Sequence, residues 1–237
     1  MASPDFRFKQ FTVRHDRCAM KVGTDGVLLA AWADLAGAET ILDAGAGCGV
    51  IALICAQRSG ARITAVEIDA DAAAQAAENA AASPWSARIS VVHSPLQEFA
   101  ARTDVQFDRI IANPPYFDNQ YKAAGARRTL ARHTDTLPLD ALCTCAARLL
   151  DTGGLFQCVL PATEADAMPE RAAGAGFHCV RKTLVLPREA SPPKRVLLAF
   201  IKSPRGCVVD ELAILRRDSD EPTDEYRALT GELYLNF

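Results

Sequence analysis

Apolar positions along the chain fall into short dense runs separated by longer amphipathic stretches, the rhythm of strands alternating with helices. Thr40-Ile41-Leu42-Asp43-Ala44 is one such run. It is closed by Gly45-Ala46-Gly47-Cys48-Gly49, after which Val50 to about Arg58 places Ile51, Ile54 and Cys55 on one helical face. Further strand-like runs are Arg62–Glu67, Ile89–His93, Phe107–Ala112, Gly154–Leu160, His178–Leu186 and Val196–Ile201. Helical patterns cover Ala70–Ala82, Leu137–Leu149 and about Thr163–Ala175. Runs that are apolar at nearly every position suit strands covered on both faces, as in a parallel sheet flanked by helices. Pro187, Pro192 and Pro193 divide the last two runs and suggest an antiparallel hairpin at the sheet edge. The alanines of Ala70–Ala82 read as plain helix propensity. Thr24 and Asp25 read as caps of a helix starting near Gly26.

Strand, glycine loop, helix is the opening of a nucleotide-binding α/β unit. The loop spells Asp-x-Gly-x-Gly-x-Gly from Asp43 to Gly49, and Val50 stands where a dinucleotide fingerprint would place its last glycine. Close backbone at Gly45 and Gly47 suits the amino-acid part of S-adenosylmethionine, which carries no pyrophosphate. Glu67 ends the next strand about 20 residues further on, the position of an acid that accepts from both ribose hydroxyls. An exposed strand end or a helix cap is the plainer reading of Glu67. Asp43 either orders the loop or also reaches the methionine amino group.

Asn113-Pro114-Pro115-Tyr116 follows the run Phe107–Ala112 directly. Such a segment can grip a planar, conjugated NH2 group. Its lone pair is delocalised, so the nitrogen is a poor nucleophile. The Asn113 side-chain oxygen and the Pro114 carbonyl can draw its two N–H groups toward tetrahedral geometry, stabilisation felt mainly in the transition state. Tyr116 can stack on the ring and hold the nitrogen in line. By itself the tetrapeptide also fits turn chemistry followed by a core aromatic.

With these motifs on one α/β framework, the chain resembles class I S-adenosylmethionine-dependent methyltransferases of the N6-adenine type. It more closely resembles the bacterial tRNA(Val) N6-adenine methyltransferase family. Phe8-Lys9-Gln10-Phe11, Met20-Lys21-Val22, Gly23–Leu29, Ala112–Phe117 and Lys194-Arg195-Val196-Leu197 carry that likeness, which runs from Phe6 to Phe237. The resemblance implies a Rossmann-like seven-stranded, mostly parallel sheet with an antiparallel edge hairpin and helices on both faces. It implies one methyltransferase domain over 1–237: an N-terminal cap and helix (1–38), a catalytic core (39–204) and a C-terminal extension docked on the core (205–237). The implied activity is N6-methylation of an anticodon-loop adenine in tRNA. The alternatives are a protein glutamine N5-methyltransferase of the release-factor-modifying type, or another nucleic-acid adenine methyltransferase. The release-factor type normally has a helical domain ahead of the glycine loop, and only about forty residues precede it here.

The site expected on this basis has catalytic Asn113, Pro114 and Tyr116. Asp43, Gly45, Gly47, Gly49, Glu67, Ile68, Leu96 and Asn113 hold S-adenosylmethionine, and no metal is required. Pro115, Tyr116, Phe117, Lys9, Arg127, Arg128 and Arg132 meet the RNA. One departure is visible: Ser94-Pro95-Leu96-Gln97 occupies the place where such enzymes usually carry an acid for the cofactor adenine. Ser94, Gln97, backbone or water must then supply that contact.

The net charge of -3 argues against a globally basic nucleic-acid binder, but distribution matters more than the sum. Arg7, Lys9, Arg14, Arg17 and Lys21 form one basic segment. Lys122, Arg127, Arg128, Arg132 and His133 form another, without an acid between Lys122 and His133. The second follows the Asn113 motif and suits a phosphate grip that contributes affinity without reading sequence. No apolar run is long enough to cross a bilayer and Met1–Pro4 lacks a signal-peptide core, so a cytoplasmic protein is expected. The eight cysteines include no C-x-x-C pair, and Cys48 reads as a small packing residue. Tyr226, Leu229, Leu233 and Tyr234 suggest a tail docked on the sheet.

Overall fold

The computed structural model describes residues 5–115 and 137–236. A hairpin of β1 (Asp5–Arg7) and β2 (Thr12–Arg14) precedes helix α1 (Thr24–Trp32). Three strand–helix units follow: β3 (Thr40–Ala44) and α2 (Val50–Arg58), β4 (Arg62–Glu67) and α3 (Ala70–Ala81), β5 (Ile89–His93) and α4 (Leu96–Arg102). Then come β6 (Phe107–Ala112), α5 (Leu139–Leu149) and β7 (Leu150–Pro161). Short helices α6 (Ala162–Ala165) and α7 (Met168–Gly174) lead to β8 (His178–Arg188) and β9 (Arg195–Ile201). The described chain closes with β10 (Val208–Leu215) and α8 (Asp224–Thr230).

The main sheet has the order β10-β8-β9-β7-β6-β3-β4-β5. Every pairing in it is parallel except those of β9 with β7 and β8. The seven expected strands are present, and β10 adds an eighth. It pairs with β8, so the β8–β9 hairpin lies inside the sheet rather than at its edge. Asp210 and Glu211 hide this strand from a pattern reading. Asp210 is tolerated there because Arg181 bonds its carboxylate at 2.9 Å and the Thr183 hydroxyl donates to it.

Alternate residues of each strand feed opposite cores, as the pleat requires. Ile41, Ile63, Ala65, Ile111, Val159 and Leu197 face α1 and α2, whereas Leu42, Val66, Ile110, Phe156, Leu198 and Phe200 face the layer of α4, α5 and α7. This two-sided burial is why the strands read as continuous apolar runs. Helices α1 and α2 are buried along almost their whole length, from Gly26 to Trp32 and from Val50 to Ala56. That follows from α1 being packed between α2 and the C-terminal α8.

Local corrections follow from backbone chemistry. The helix expected over Thr163–Ala175 is broken into α6 and α7, because Pro169 at the start of α7 has no N–H to continue the earlier turn. Helix α1 starts at Thr24, its N-cap is Gly23, and no side chain caps it. Asp25 instead pairs with Arg195 of β9 at 2.8 Å. The tail does dock: Tyr226 and Leu233 are buried, against α1 and β10 rather than on the open sheet face. Tyr234 bridges Phe8, and Phe8 stacks on Phe11 with ring centroids 4.5 Å apart. Among the described residues no helix is long and apolar enough to cross a membrane.

Candidate active site

The strands step outward from β3 to β4 and β5 on one side, and from β6 onward on the other. The direction of winding therefore reverses between β3 and β6, and the carboxyl ends of these two adjacent strands form the crevice where open α/β sheets take ligands. β3 delivers Asp43 and the glycine loop to this crevice, β6 delivers Asn113, and β4 delivers Glu67.

The glycine loop turns because three of its residues are left-handed: Gly45, Gly47 and Gly49 have φ of 80°, 53° and 81°. A Cβ at Gly45 or Gly47 would meet no atom within 4 Å, so these residues leave open space beside the backbone. At Gly49 a Cβ would lie 3.3 Å from Ala76 Cβ, and here glycine serves close packing against α3. The Gly45 and Ala46 amides donate to the Val66 carbonyl at 2.9 and 3.1 Å, fastening the loop to β4.

Glu67 is buried and is neither an exposed strand end nor a cap. One carboxylate oxygen accepts from Gly47 N–H at 2.7 Å and the other from Asp69 N–H at 2.9 Å. Asp69 performs the capping instead, accepting from Ala72 N–H at 2.8 Å. Asp43 is fully buried. Its Oδ2 accepts from Ala52 N–H at 3.0 Å, and its Oδ1 has no hydrogen-bond partner among the described residues. Burial pushes this acid up to about 8; the Ala52 amide opposes the shift and the Glu67 charge reinforces it. A buried, half-satisfied carboxyl next to open glycine backbone fits a ligand carrying a cationic amino group.

Ile68 is exposed beside Glu67, and its carbonyl lies 3.0 Å from His93 Nε2. Leu96 is buried at the start of α4, with Pro95 as N-cap. Ser94 N–H donates to the Glu67 carbonyl at 2.9 Å, and its hydroxyl donates to the Pro95 carbonyl. Gln97 is exposed. Asn113 is half-buried, Pro114 buried and Pro115 exposed. Gly26 of α1 packs against Asn113: a Cβ there would sit 3.7 Å from Asn113 Nδ2 and 3.5 Å from Val50. Lys9 turns toward the C-terminal segment. Its amide donates to the Leu233 carbonyl at 2.9 Å and its ammonium to the Gly231 carbonyl at 2.6 Å. Tyr116, Phe117, Arg127, Arg128 and Arg132 lie outside the described residues.

The polar face of α3 escaped the sequence reading. Gln75, Glu78 and Asn79 stand at i, i+3 and i+4 on an otherwise alanine-rich helix, and Gln75 and Asn79 are buried. Asn79 Oδ1 accepts from Arg14 N–H at 2.9 Å, while Nδ2 donates to the Arg14 and Cys48 carbonyls at 2.8 and 2.9 Å. Gln75 accepts from Arg17 N–H at 3.1 Å and donates to Asp16 at 2.6 Å, and Glu78 pairs with Arg17. Asp16 is held below the usual carboxylate range, chiefly by Gln75. Two amides on an alanine helix were the available signal. Through them residues 12–22, the N-terminal strap, are bound to the glycine loop. Two surface clefts, of about 560 and 470 Å³, open elsewhere, around Trp32 and Asp34, away from this chemistry.

Comparison with known proteins agrees with this geometry. Residues 19–164 match the family model described as the methyltransferase small domain, so the chain belongs to that class. The crystal structure of a predicted O-methyltransferase from Agrobacterium tumefaciens superposes with a TM-score of 0.70 at 24% identity, covering 88% of this chain and 96% of that one. A glycopeptide N-methyltransferase complexed with S-adenosyl-L-methionine shares the fold at a TM-score of 0.56 and 16% identity, covering 78% and 90%. A Phocaeicola vulgatus protein named tRNA1(Val) (adenine(37)-N6)-methyltransferase is 50% identical over 236 residues, 100% of each chain. A Klebsiella pneumoniae protein of the same name is 47% identical over 97% of this chain and 94% of its own. The chain is therefore a member of the tRNA1(Val) (adenine(37)-N6)-methyltransferase family.

Proposed function

We propose that the protein methylates N6 of an adenine in tRNA, the adenine at position 37 of tRNA1(Val) that its relatives' names specify, using S-adenosylmethionine. The observation that carries this reading is the meeting, at one switch point of the sheet, of an open glycine loop, a buried strand-end acid and Asn113. When bound, S-adenosylmethionine supplies an electrophilic methyl group. Gly45, Gly47 and Asp43 would receive its amino-acid part, Glu67 its ribose, and Ile68 and Leu96 its adenine. Gly49 keeps the loop on α3. The Glu67 carboxylate already organises Gly47 and Asp69, and each of its oxygens retains acceptor capacity for a hydroxyl.

Asn113 Oδ1 and the Pro114 carbonyl accept the two N–H groups of adenine N6 and draw the nitrogen toward tetrahedral geometry. The proton leaves after the new N–C bond forms, so no strong base is required. Tyr116, with Pro115 and Phe117, would stack on the base, returning roughly 1–3 kcal/mol against an unstacking cost of a few. A loop adenine reduces that cost, which favours an anticodon loop over duplex. Arg127, Arg128 and Arg132 would contact phosphate, whereas the Lys9 ammonium, expected near the substrate, is held on the Gly231 carbonyl.

Methyl transfer from labelled S-adenosylmethionine into tRNA from cells lacking the enzyme tests this, with duplex DNA and release-factor protein offered in parallel. Label recovered as N6-methyladenosine in tRNA is expected. Label in the protein substrate would overturn the RNA reading while leaving the amine-gripping role of Asn113 intact.

A further inference from the structure

Neither Cys179 nor Cys207 has a part in the proposed methyl transfer, yet their sulfurs face each other 3.6 Å apart, in hydrogen-bonding contact. Both are free thiols, 28 residues apart in the chain. Cys179 lies near the start of β8 and Cys207 just ahead of β10, and these strands pair in parallel. Both sulfurs therefore sit at the amino-end edge of the sheet, opposite the carboxyl-end crevice. β8 carries a bulge between Cys179 and Arg181, the kind of break that re-aims a side chain. Each sulfur also reaches a backbone carbonyl, Cys179 that of Arg181 at 3.6 Å and Cys207 that of Val208 at 3.7 Å. Of the eight cysteines Cys207 alone is exposed, and Cys179 is half-buried. Burial pushes the Cys179 thiol up to about 12, and contact with Cys207 adds to the shift. Cys207 is thus the thiol that a reagent from solution meets first. β10 is the outer strand of the sheet, and its first residues, Val208 and Val209, are 61% and 62% exposed. An edge that starts with so little burial opens readily.

We propose that Cys207 and Cys179 form a reversible modification site for low-molecular-weight disulfides of the glutathione class, which leave behind a bridge that fastens β10 to β8. The Cys207 thiolate attacks one sulfur of the small disulfide, whose S–S bond breaks and releases one small thiol. The mixed disulfide on Cys207 is then attacked by the Cys179 sulfur, which displaces the second small thiol. The two protein thiols give up two protons and two electrons, and the small disulfide leaves as two thiols. That part of the Cys179 shift caused by Cys207 disappears once Cys207 is tied up in the mixed disulfide. A disulfide bond is about 2.0 Å long, so about 1.6 Å of the 3.6 Å separation remains to be closed. Side-chain rotation at the exposed start of an edge strand can supply that movement. A bridge at an exposed position is also open to reduction, which makes the modification reversible.

The test incubates the full-length reduced enzyme with oxidised glutathione and follows it by non-reducing peptide mass spectrometry, calorimetry and amide hydrogen exchange. The expected result is a glutathione adduct on Cys207 that gives way to a Cys179–Cys207 linked peptide. Closing a loop of this length should raise Tm by about 4–16 °C and slow exchange over residues 207–212, both reversed by dithiothreitol. Cys179→Ser should stop at the Cys207 adduct with no rise in Tm, and Cys207→Ser should form neither adduct nor link. The Tm of each variant before treatment checks that it folds as the wild type does. An adduct on Cys207 that persists in the wild type without the link would overturn the proposal. So would modification of Cys18 in place of Cys207, an enzyme that takes up no glutathione, or a link that leaves Tm and exchange unchanged.

Discussion

Replacing Asn79 by alanine tests whether the α3 amides hold the strap to the glycine loop. The substitution deletes three hydrogen bonds, to Arg14 N–H, the Arg14 carbonyl and the Cys48 carbonyl. Each contributes about 1 kcal/mol net, and a buried group left unpaired costs about 1–3. Arg14 is exposed, so water can reclaim part of its loss, whereas Cys48 is buried. The sum is a destabilisation of about 2–4 kcal/mol, a large share of the roughly 5–15 that holds an ordinary domain. For a chain of this length that corresponds to a fall in Tm of roughly 4–16 °C. Urea unfolding should report the loss, and amide hydrogen exchange should show it concentrated in residues 12–18. Asn79→Asp should cost at least as much at neutral pH, because a carboxylate would face two carbonyl oxygens. A cost below about 1 kcal/mol for Asn79→Ala, or unchanged exchange in the strap, would refute the reasoning.

Asn113→Ala should lower kcat by about 10²–10³ with little change in cofactor affinity; equal loss of both, by titration and steady-state kinetics, would remove Asn113 from the transition state. Asp43 is an acid whose folded pKa is raised to about 8, so the folded chain holds the proton that the unfolded chain has lost, and stability falls as pH rises from about 4 toward 8. Denaturation of Asp43→Asn should therefore show it gaining on the wild type between pH 5 and 8. Cofactor affinity of the wild type should rise over the same range and that of Asp43→Asn should stay flat. Gly47→Ala and Gly49→Ala both force a side chain into a left-handed backbone, at about 1–2 kcal/mol each. Only the second also presses on Ala76, so calorimetry should find Gly49→Ala the less stable and titration should find Gly47→Ala the poorer cofactor binder.

Much of this arrangement was legible from periodicity. The runs Thr40–Ala44 and Phe107–Ala112 are buried on both faces, which makes their apolar character continuous, and the left-handed turn at Gly45–Gly49 admits few residues but glycine. The hairpin β1–β2 left little pattern because each strand has only three residues, and its stability comes from rings contributed by distant Trp85 and Tyr234. β10 was hidden because Asp210 is neutralised by Arg181, a partner 29 residues away. Asp25 looked like a cap because a short acid near a helix start usually is one; its guanidinium partner is 170 residues distant. The amides of α3 drew no attention because their partners, Arg14, Asp16 and Arg17, lie about 60 residues away. Long-range pairing of polar groups leaves no periodic trace, and that is where the sequence was silent.

The N-terminal hairpin depends on residues made much later. Lys9 is anchored by Gly231, 222 residues further along the chain, and Phe8 by Tyr234. At synthesis speeds of about 5–20 residues per second, the hairpin must wait roughly ten to forty seconds on the ribosome for its other half. The glycine loop and the Asn113 strand emerge well before that. A nascent chain can thus carry a nearly assembled crevice with its strap already held by α3, while the rings of Phe6 and Phe8 at the hairpin still wait for Tyr234 to cover them.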